Sequence, residues 1–278
     1  MALVRDRCVC LRKFEYSETS QILTLFSRNY GLLRAIAKGA HRVTKAGASK
    51  FGGGVDLLDV GDAVFTHSPE KDLATLTEWT LREGHLELRR GLRGMYLGLY
   101  AAELVSMLFE EHDPHRELFD RLEQTLLELG SERTEEAFLA FELDLLREAG
   151  YLPELTSCAS CGGTVGGMTG RGDEPAFFSP AESGVVCWRC ESAIPDRMEV
   201  DPRLLRVMQT VLRLPRDTTG TMPQRLPQLA RAQTDPINWI LAEHVEHTLS
   251  RRLRMPRYVL GSGARQIDVE RTAPALPA

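Results

Sequence analysis

The chain has 278 residues, of which 43% are hydrophobic and 26% charged, and its net charge is −5. These proportions are typical of a globular protein. The first fourteen residues, MALVRDRCVCLRKF, contain scattered charges and no long apolar run, so we expect no secretory signal. No stretch approaches the ~18 apolar residues of a transmembrane helix. We therefore expect a cytoplasmic protein without a membrane partner, in which cysteines are reduced or bound to metal.

Residues 1–84 are predicted to be rich in β-structure. Turn-forming residues separate five apolar runs, which read LVRDRCVCLRKF, QILTLFSR, GLLRAIA, VDLLDVGDAVFTH and LATLTEWTLR. Asn29 and Gly31 tolerate the backbone of a tight turn, so SRNYG joins the second and third strands. Five short strands with a long link after the third favour a small barrel such as an OB-fold. Periodicity alone does not distinguish this barrel from another five-stranded arrangement.

From about Leu92 the apolar period changes from two toward 3.6, which indicates helices. The predicted helical segments are LRGMYLGLYAAELVSMLFEE, HDPHRELFDRLEQTLLELG, TEEAFLAFELDLLREAG, DPRLLRVMQTVLRL and PINWILAEHVEHTLSRRLR. Asp113 is the predicted N-cap of the second and Gly130 its C-cap, while Thr134 and Gly150 bound the third. The apolar stripes of these segments predict the core of a helical bundle.

The predicted fold is therefore α+β with several domains. An OB-fold barrel occupies 1–84, and a helical domain is built from 85–156 and 194–258. A Gly- and Ser-rich insertion at 157–193 divides the helical domain, and residues 259–278 form a tail that we expect to be disordered.

The insertion contains two C-x-x-C pairs, formed by Cys158, Cys161, Cys187 and Cys190. Each pair places two thiolates on one side of a tight turn, and two such turns complete a tetrahedral Cys₄ shell for zinc. We expect one structural zinc per chain, because four thiolates leave no open coordination position. Phe177, Phe178 and the run 184–186 are predicted strands of a small ribbon. Disulfides and a redox dithiol are the alternatives.

Two further groups of metal-ligand residues have simpler interpretations. Cys8 and Cys10 are two apart in a strand and point to one face, where core or partly exposed thiols are favoured over ligands. His244 and His247 are three apart on a predicted helix and are interpreted as surface residues. The chain has no phosphate-binding G-x-x-x-x-G-K-[ST] loop and no G-x-S-x-G elbow. Nothing in the sequence indicates an enzyme.

Charge is distributed unevenly along the chain. Residues 1–50 contain ten Lys/Arg and three Asp/Glu, a balance of +7, so the remaining 228 residues sum to −12. No carboxylate occurs between Glu18 and Asp56. A basic segment in an acidic chain indicates a nucleic-acid or other anionic partner, and the alternative is a solvated basic face.

A small barrel binds single strands through a cationic groove and aromatic platforms. The candidate phosphate contacts are Arg28, Arg34, Lys38, Arg42, Lys45 and Lys50. The candidate stacking residues are Phe26, Tyr30 and His41, although Phe26 and Tyr30 also suit the barrel core.

The order of four segments resembles one known family. They are YSETSQILTLFSRNYG, RAIAKGAHR, ELDLLREAGYLPEL and the paired C-x-x-C motifs, and the chain is identified by them as a member of the bacterial RecO family of DNA repair proteins. The resemblance extends through RRLRMPRYVL and implies an N-terminal OB-fold, a helical bundle and a zinc ribbon.

The resemblance also implies a nucleoid-associated, non-enzymatic function in recombinational repair. Such proteins bind and anneal single-stranded DNA without ATP, bind duplex DNA as well, and act with RecR to load RecA on DNA covered by single-stranded-DNA-binding protein. They contact the acidic C-terminal tail of that protein. The alternative function is an interaction scaffold whose basic face docks an acidic protein partner.

Overall fold

The computed structural model describes residues 2–41, 50–67, 72–165, 175–214 and 228–260. The chain divides into two compact units. The first comprises Met1–Gly150 with Pro215–Leu229, and the second comprises Tyr151–Leu214 with Ala230–Ala278. None of the helices in the described ranges combines the length and apolar character needed to cross a lipid bilayer.

Five strands of the first unit close into a barrel. They are β1 (Ala2–Ser17), β2 (Ser20–Ser27), β3 (Gly31–Ala37), β4 (Val60–His67) and β5 (Ala74–Glu83). Their order around the barrel is β1-β2-β3-β5-β4, with β3 and β5 parallel and every other pair antiparallel. The prediction of a small five-stranded barrel is confirmed.

The long first strand takes part in two ladders because its pairing shifts register. Its first half pairs with β4, and from Cys8 onward it pairs with β2, with an irregularity between Cys10 and Arg12. A bulge of this kind bends a strand and lets it turn a barrel corner. Cys8 and Cys10 both lie in the barrel core, as the period-two interpretation predicted.

Four helices complete the described part of the first unit. They are α1 (Leu86–Arg90), α2 (Leu92–Leu108), α3 (Arg116–Glu128) and α4 (Thr134–Glu148). Leu97, Phe138 and Phe141, which belong to the apolar stripes of the predicted helices, are fully buried. The five-residue α1 was not predicted, because so short a helix shows no period.

The prediction of Asp113 as the N-cap of α3 is wrong, since the cap is His115 and its side chain makes no capping bond. The segment before α3 is not helical because it pairs with the barrel. Glu111 forms a parallel bridge with Leu32, and the His112 amide donates to the Leu32 carbonyl at 2.8 Å. These contacts delay the start of the helix.

Two glycines behave differently at the helix ends. The C-cap of α3 is Leu129 rather than Gly130. Gly130 instead permits close packing, because a Cβ there would lie 2.8 Å from the Leu88 nitrogen. Gly150 has φ +76° and follows α4, as predicted for a left-handed terminus. The predicted cap Thr134 is the first residue of α4, one position after the observed cap.

The described part of the second unit contains a small sheet, three α-helices and a short 3-10 helix (Glu191–Ala193). The sheet has the order β7-β6-β8, with β6 (Ala176–Ser179), β7 (Gly184–Cys187) and β8 (Met198–Val200). The helices are α5 (Pro202–Arg213), α6 (Arg231–Leu249) and α7 (Pro256–Val259). The first two strands were predicted, whereas β8 and α7 were not. The predicted tail lies outside the described residues from residue 261 onward.

The interpretation of His244 as a surface residue is wrong. Its side chain is 2% exposed, Nε2 lies 2.9 Å from the Tyr151 carbonyl, and the ring contacts the edge of Phe178. Burial lowers the pKa of His244, although the bond to Tyr151 opposes that effect. His247, one turn further along the helix, is exposed as expected.

Candidate functional site

The four cysteines of the insertion converge on one point. All of their Sγ atoms lie within 4.8 Å of one another, and Cys161 Sγ lies 3.8 Å from Cys187 Sγ. A tetrahedron of thiolates around zinc, with Zn–S near 2.3 Å, has S···S edges of about 3.8 Å. The donor set and its spacing therefore fit a tetrahedral metal ion, and the sequence-predicted ligands are brought together.

Local backbone geometry explains why the sulfurs converge. In the first turn the Gly162 amide donates to the Cys158 carbonyl, and Gly162 has φ +70°, which suits glycine. In the second turn the Cys190 amide donates to the Cys187 carbonyl. The Cys187 amide also donates to Cys158 Sγ at 3.3 Å, which links the two turns.

The surroundings of Cys158 favour its thiolate. Burial alone would raise the pKa of this thiol. Hydrogen bonds from the backbone N–H groups of Cys187, Cys161 and Ser160 lower the pKa by more than burial raises it, so the net value is about 6. A ligand that is deprotonated near neutral pH is suited to metal binding. The four cysteines could therefore hold a metal ion.

Two of the six predicted phosphate-binding cations are already paired with carboxylates of the helical region. Arg28 donates through Nε and Nη2 to the two carboxylate oxygens of Asp120, at 2.7 Å each. Arg34 Nε lies 3.4 Å from Glu111 Oε1. The Asp120 carboxylate raises the pKa of Arg28, so this residue remains charged and bound.

The other four cations are in different situations. Lys38 and Lys50 are exposed, and neither forms an ion pair with a carboxylate within the described ranges. Arg42 and Lys45 lie outside the described residues. Of the six candidates, the described cations that are available to an outside anion are therefore Lys38 and Lys50.

The aromatic candidates lie mainly inside the protein. Phe26 is fully buried with its ring centroid 5.7 Å from that of Phe119. Tyr30 packs against the barrel core, and its ring meets Phe65 edge-on at 5.7 Å. These contacts favour the core alternative for both residues.

His41 is held by two bonds at the end of the barrel. Nε2 lies 3.0 Å from a Glu15 carboxylate oxygen, and Nδ1 lies 3.0 Å from the Gly53 carbonyl. The bond to Glu15 is the main reason that the pKa of His41 is raised. Both ring nitrogens are therefore already bonded to other parts of the barrel unit.

Two family models match the chain. One described as "Recombination protein O N terminal" matches residues 1–85, which include the barrel, and one described as "Recombination protein O C terminal" matches 89–254. The chain belongs to the RecO family of DNA repair proteins. The family resemblance noted from the sequence is thereby confirmed.

Several curated relatives are similar over most of their length. The DNA repair protein RecO of Anaeromyxobacter dehalogenans is 32% identical over 252 residues, covering 90% of this chain and 93% of the relative. The RecO protein of Pelotomaculum thermopropionicum is 28% identical over 274 residues, covering 96% and 100%. The RecO protein of Rhodopirellula baltica is 35% identical over 183 residues, covering 66% and 65%.

Sequence reasoning missed two exposed aromatic residues of this RecO-family barrel. Phe14 is 69% exposed and Tyr16 is 63% exposed at the end of β1. Phe14 was included in an apolar run and Tyr16 in the turn that follows it. The alternation Lys13-Phe14-Glu15-Tyr16 was the available signal, since it directs charged and aromatic side chains to opposite faces of a strand.

Proposed function

We propose that this RecO-family protein binds and anneals single-stranded DNA through its barrel without hydrolysing ATP. In this proposal it acts with RecR to load RecA on DNA covered by single-stranded-DNA-binding protein. It also contacts the acidic tail of that protein and binds duplex DNA in the nucleoid. Family membership supports these partners.

The observation that carries the DNA-binding part is the acid-free segment on the barrel. Its cations follow β3, and Lys38 and Lys50 are exposed without a carboxylate partner among the described residues. Unpaired cations on a barrel attract phosphates, and each neutralised phosphate releases counterions. Such contacts position a strand without reading its sequence, as annealing of any two complementary strands requires.

We also propose that the four cysteines bind one structural zinc ion. The sulfur spacing and the all-thiolate donor set support this assignment. The metal stabilises a segment whose described residues form a sheet of three short strands, and it does not take part in annealing.

A specific observation favours a second candidate, an interaction scaffold that docks an acidic protein. Arg28 binds a carboxylate in bidentate geometry, and Arg34 lies near another. Both contacts support a basic surface that could bind the carboxylates of a partner. An acidic peptide would bind the same surface by replacing these internal partners.

Fluorescence anisotropy with a labelled single-stranded oligonucleotide across a salt series separates the two candidates. Four to six phosphate contacts give a slope of log K against log salt of about −3 to −4, at roughly −0.7 per contact. The triple variant Lys38→Ala/Arg42→Ala/Lys45→Ala should flatten the slope by about 2. The control Arg90→Ala, an exposed cation of α1, should leave it unchanged.

Two results would contradict the DNA-binding proposal. The first is a folded triple variant that binds the oligonucleotide as tightly as the wild type at low salt, which would favour the scaffold. The second comes from mixing complementary strands with the protein in the absence of nucleotide. If the strands annealed only after ATP was added and hydrolysed by this chain, the ATP-independent mechanism would be wrong.

A further inference from the structure

The two exposed aromatic residues lie on the outer face of the barrel. The residues that alternate with them turn the other way: Lys13 Nζ bonds Asp56 at 2.9 Å, and Glu15 bonds His41 at 3.0 Å. Phe14 lies on the opposite, outer face, and Tyr16 follows at the irregularity between Glu15 and Ser17, just before the last pair of the β1–β2 ladder. Strand alternation therefore directs both rings outward, and both remain largely exposed to solvent.

Strand register defines the rest of this face. Phe14 pairs with Ile22, which pairs with Ile36, so one outer row crosses three strands. The next row consists of Arg12, Thr24 and Arg34.

The same outer face is covered at its other end. There Phe26 packs on Phe119 of α3, and Leu32 accepts the amide of His112. The helices thus protect the apolar residues of one half of the face and leave Phe14 and Tyr16 in solvent.

The charges around the open half favour an anionic ligand. Strands β2 and β3 contain no carboxylate, and Glu18 is the one acid in the β1–β2 turn. Neither Arg12 nor Lys38 forms an ion pair with any part of the chain that the structure describes. The segment after Lys38 lies beside that turn, because the His41 amide donates to the Thr19 carbonyl at 3.4 Å.

We propose that Arg12, Phe14, Tyr16 and Lys38, here called the aromatic face, bind unpaired bases and so distinguish single strands from duplex DNA. This inference rests on the proposed DNA-binding function and assigns the residues that select its substrate. Exposed rings stack on bases of any sequence, whereas a duplex keeps its bases stacked on one another. Flanking cations hold the phosphates between stacked bases. If these rings instead docked on an apolar surface of a partner protein, the neighbouring cations would have no role in binding.

The test compares binding of oligothymidine with binding of an abasic oligomer of equal length. Phe14→Ala and Tyr16→Ala should each weaken oligothymidine binding by roughly 5- to 150-fold, with the salt slope unchanged. Binding of the abasic oligomer should change little, because it has no bases to stack. Tyr16→Phe should restore the affinity, and the control Leu81→Ala removes an apolar side chain of similar exposure on β5 and should have no effect.

The outcomes separate this inference from the function on which it rests. If the wild type binds neither oligomer, the DNA-binding proposal itself fails. If the wild type binds oligothymidine and both alanine variants bind it equally well, the aromatic face is not the base-binding surface and a protein partner is favoured. Photo-crosslinking of the wild type to an iodouracil oligonucleotide needs no variant. Adducts on Phe14 or Tyr16 support the inference, and adducts confined to other residues overturn it.

Discussion

Gly31 and Asp113 approach each other so closely that no side chain fits between them. A Cβ on Gly31 would lie 2.2 Å from the Asp113 carbonyl oxygen. Gly31 also has φ +68°, a conformation that L-residues rarely adopt. At this turn between β2 and β3, the barrel therefore packs directly against the chain segment that leads into α3.

We expect Gly31→Ala to destabilise the first unit by about 2–5 kcal/mol. The left-handed backbone costs roughly 1–2 kcal/mol for alanine, and the forced displacement of Asp113 costs about 1–3 kcal/mol more. Denaturant unfolding followed by fluorescence measures the loss. Gly52→Ala is the matched control, because Gly52 has φ +59° but no atom within 4 Å of the Cβ position. Equal losses in the two variants would show that contact with Asp113 is unimportant.

His85 lies between β5 and α1. Its buried imidazole should make the protein less stable in acid. The residue is 3% exposed, and neither ring nitrogen has a hydrogen-bond partner among the described residues. Burial lowers the pKa of the imidazole from its ordinary value near 6.5 to about 4, although the Glu83 charge opposes this effect. Between these two values the unfolded chain binds a proton that the folded protein does not.

The contribution of neutral His85 to stability should therefore be complete above about pH 6.5 and be lost as the pH drops toward 4, by roughly 3 kcal/mol in total. His85→Asn should remove this dependence, because asparagine tolerates the left-handed backbone at φ 49° and does not titrate. Urea unfolding at several pH values between 4.5 and 7.5 measures the difference. His247→Asn, a change at an exposed histidine, should retain the wild-type dependence. A parallel pH profile for His85→Asn and the wild type would contradict the assignment.

Glu142 predicts the opposite pH dependence. Its side chain is fully buried in α4, and burial raises the pKa well above the ordinary value, although a hydrogen bond with Tyr100 opposes this effect. The folded protein therefore retains a proton that the unfolded chain releases. The stability contribution is complete below about pH 4.5 and is lost as the pH rises toward the folded pKa.

We expect Glu142→Gln to be more stable than the wild type at pH 8, with an advantage that shrinks as the pH falls to 5. Glutamine resembles the protonated acid in shape and polarity, so little repacking is required. Thermal unfolding at the two pH values tests this. Glu110→Gln, at an exposed position, is the control and should behave as the wild type. A Glu142→Gln variant that is less stable at both pH values would show that the buried group is ionised.

The strands and most of the helices could be predicted because their signals are local. Alternation and the 3.6-residue period are properties of neighbouring residues, and they correctly indicated the barrel, α4 and the cysteine turns. The errors arose where distant residues decide the outcome. Asp113 does not cap α3 because the segment that contains it pairs with the barrel at Leu32. His244 is buried where its Nε2 forms a hydrogen bond with the Tyr151 carbonyl, 93 residues away in the sequence.

The candidate DNA site was predictable in charge but not in geometry. An acid-free segment is visible in the sequence, whereas the pair between Arg28 and Asp120 joins residues 92 positions apart. The same limitation applies to Tyr30, whose contact with Phe65 crosses the barrel. Exposure of Phe14 follows from strand register, which composition does not reveal.

Removing one of the four proposed zinc ligands should release the metal and unfold the ribbon. In Cys187→Ala three thiolates remain, and the Cys187 amide loses its constrained position beside Cys158 Sγ. Structural zinc contributes roughly 10–16 kcal/mol in small domains, and several kcal/mol of that should be lost locally. Elemental analysis should find one zinc per wild-type chain and almost none in the variant, and hydrogen exchange should increase in β6 and β7. Cys8→Ala alters a barrel-core thiol and should retain the zinc. Reduced wild-type protein that contains no zinc, or a Cys187→Ala variant that retains it, would refute the Cys₄ assignment.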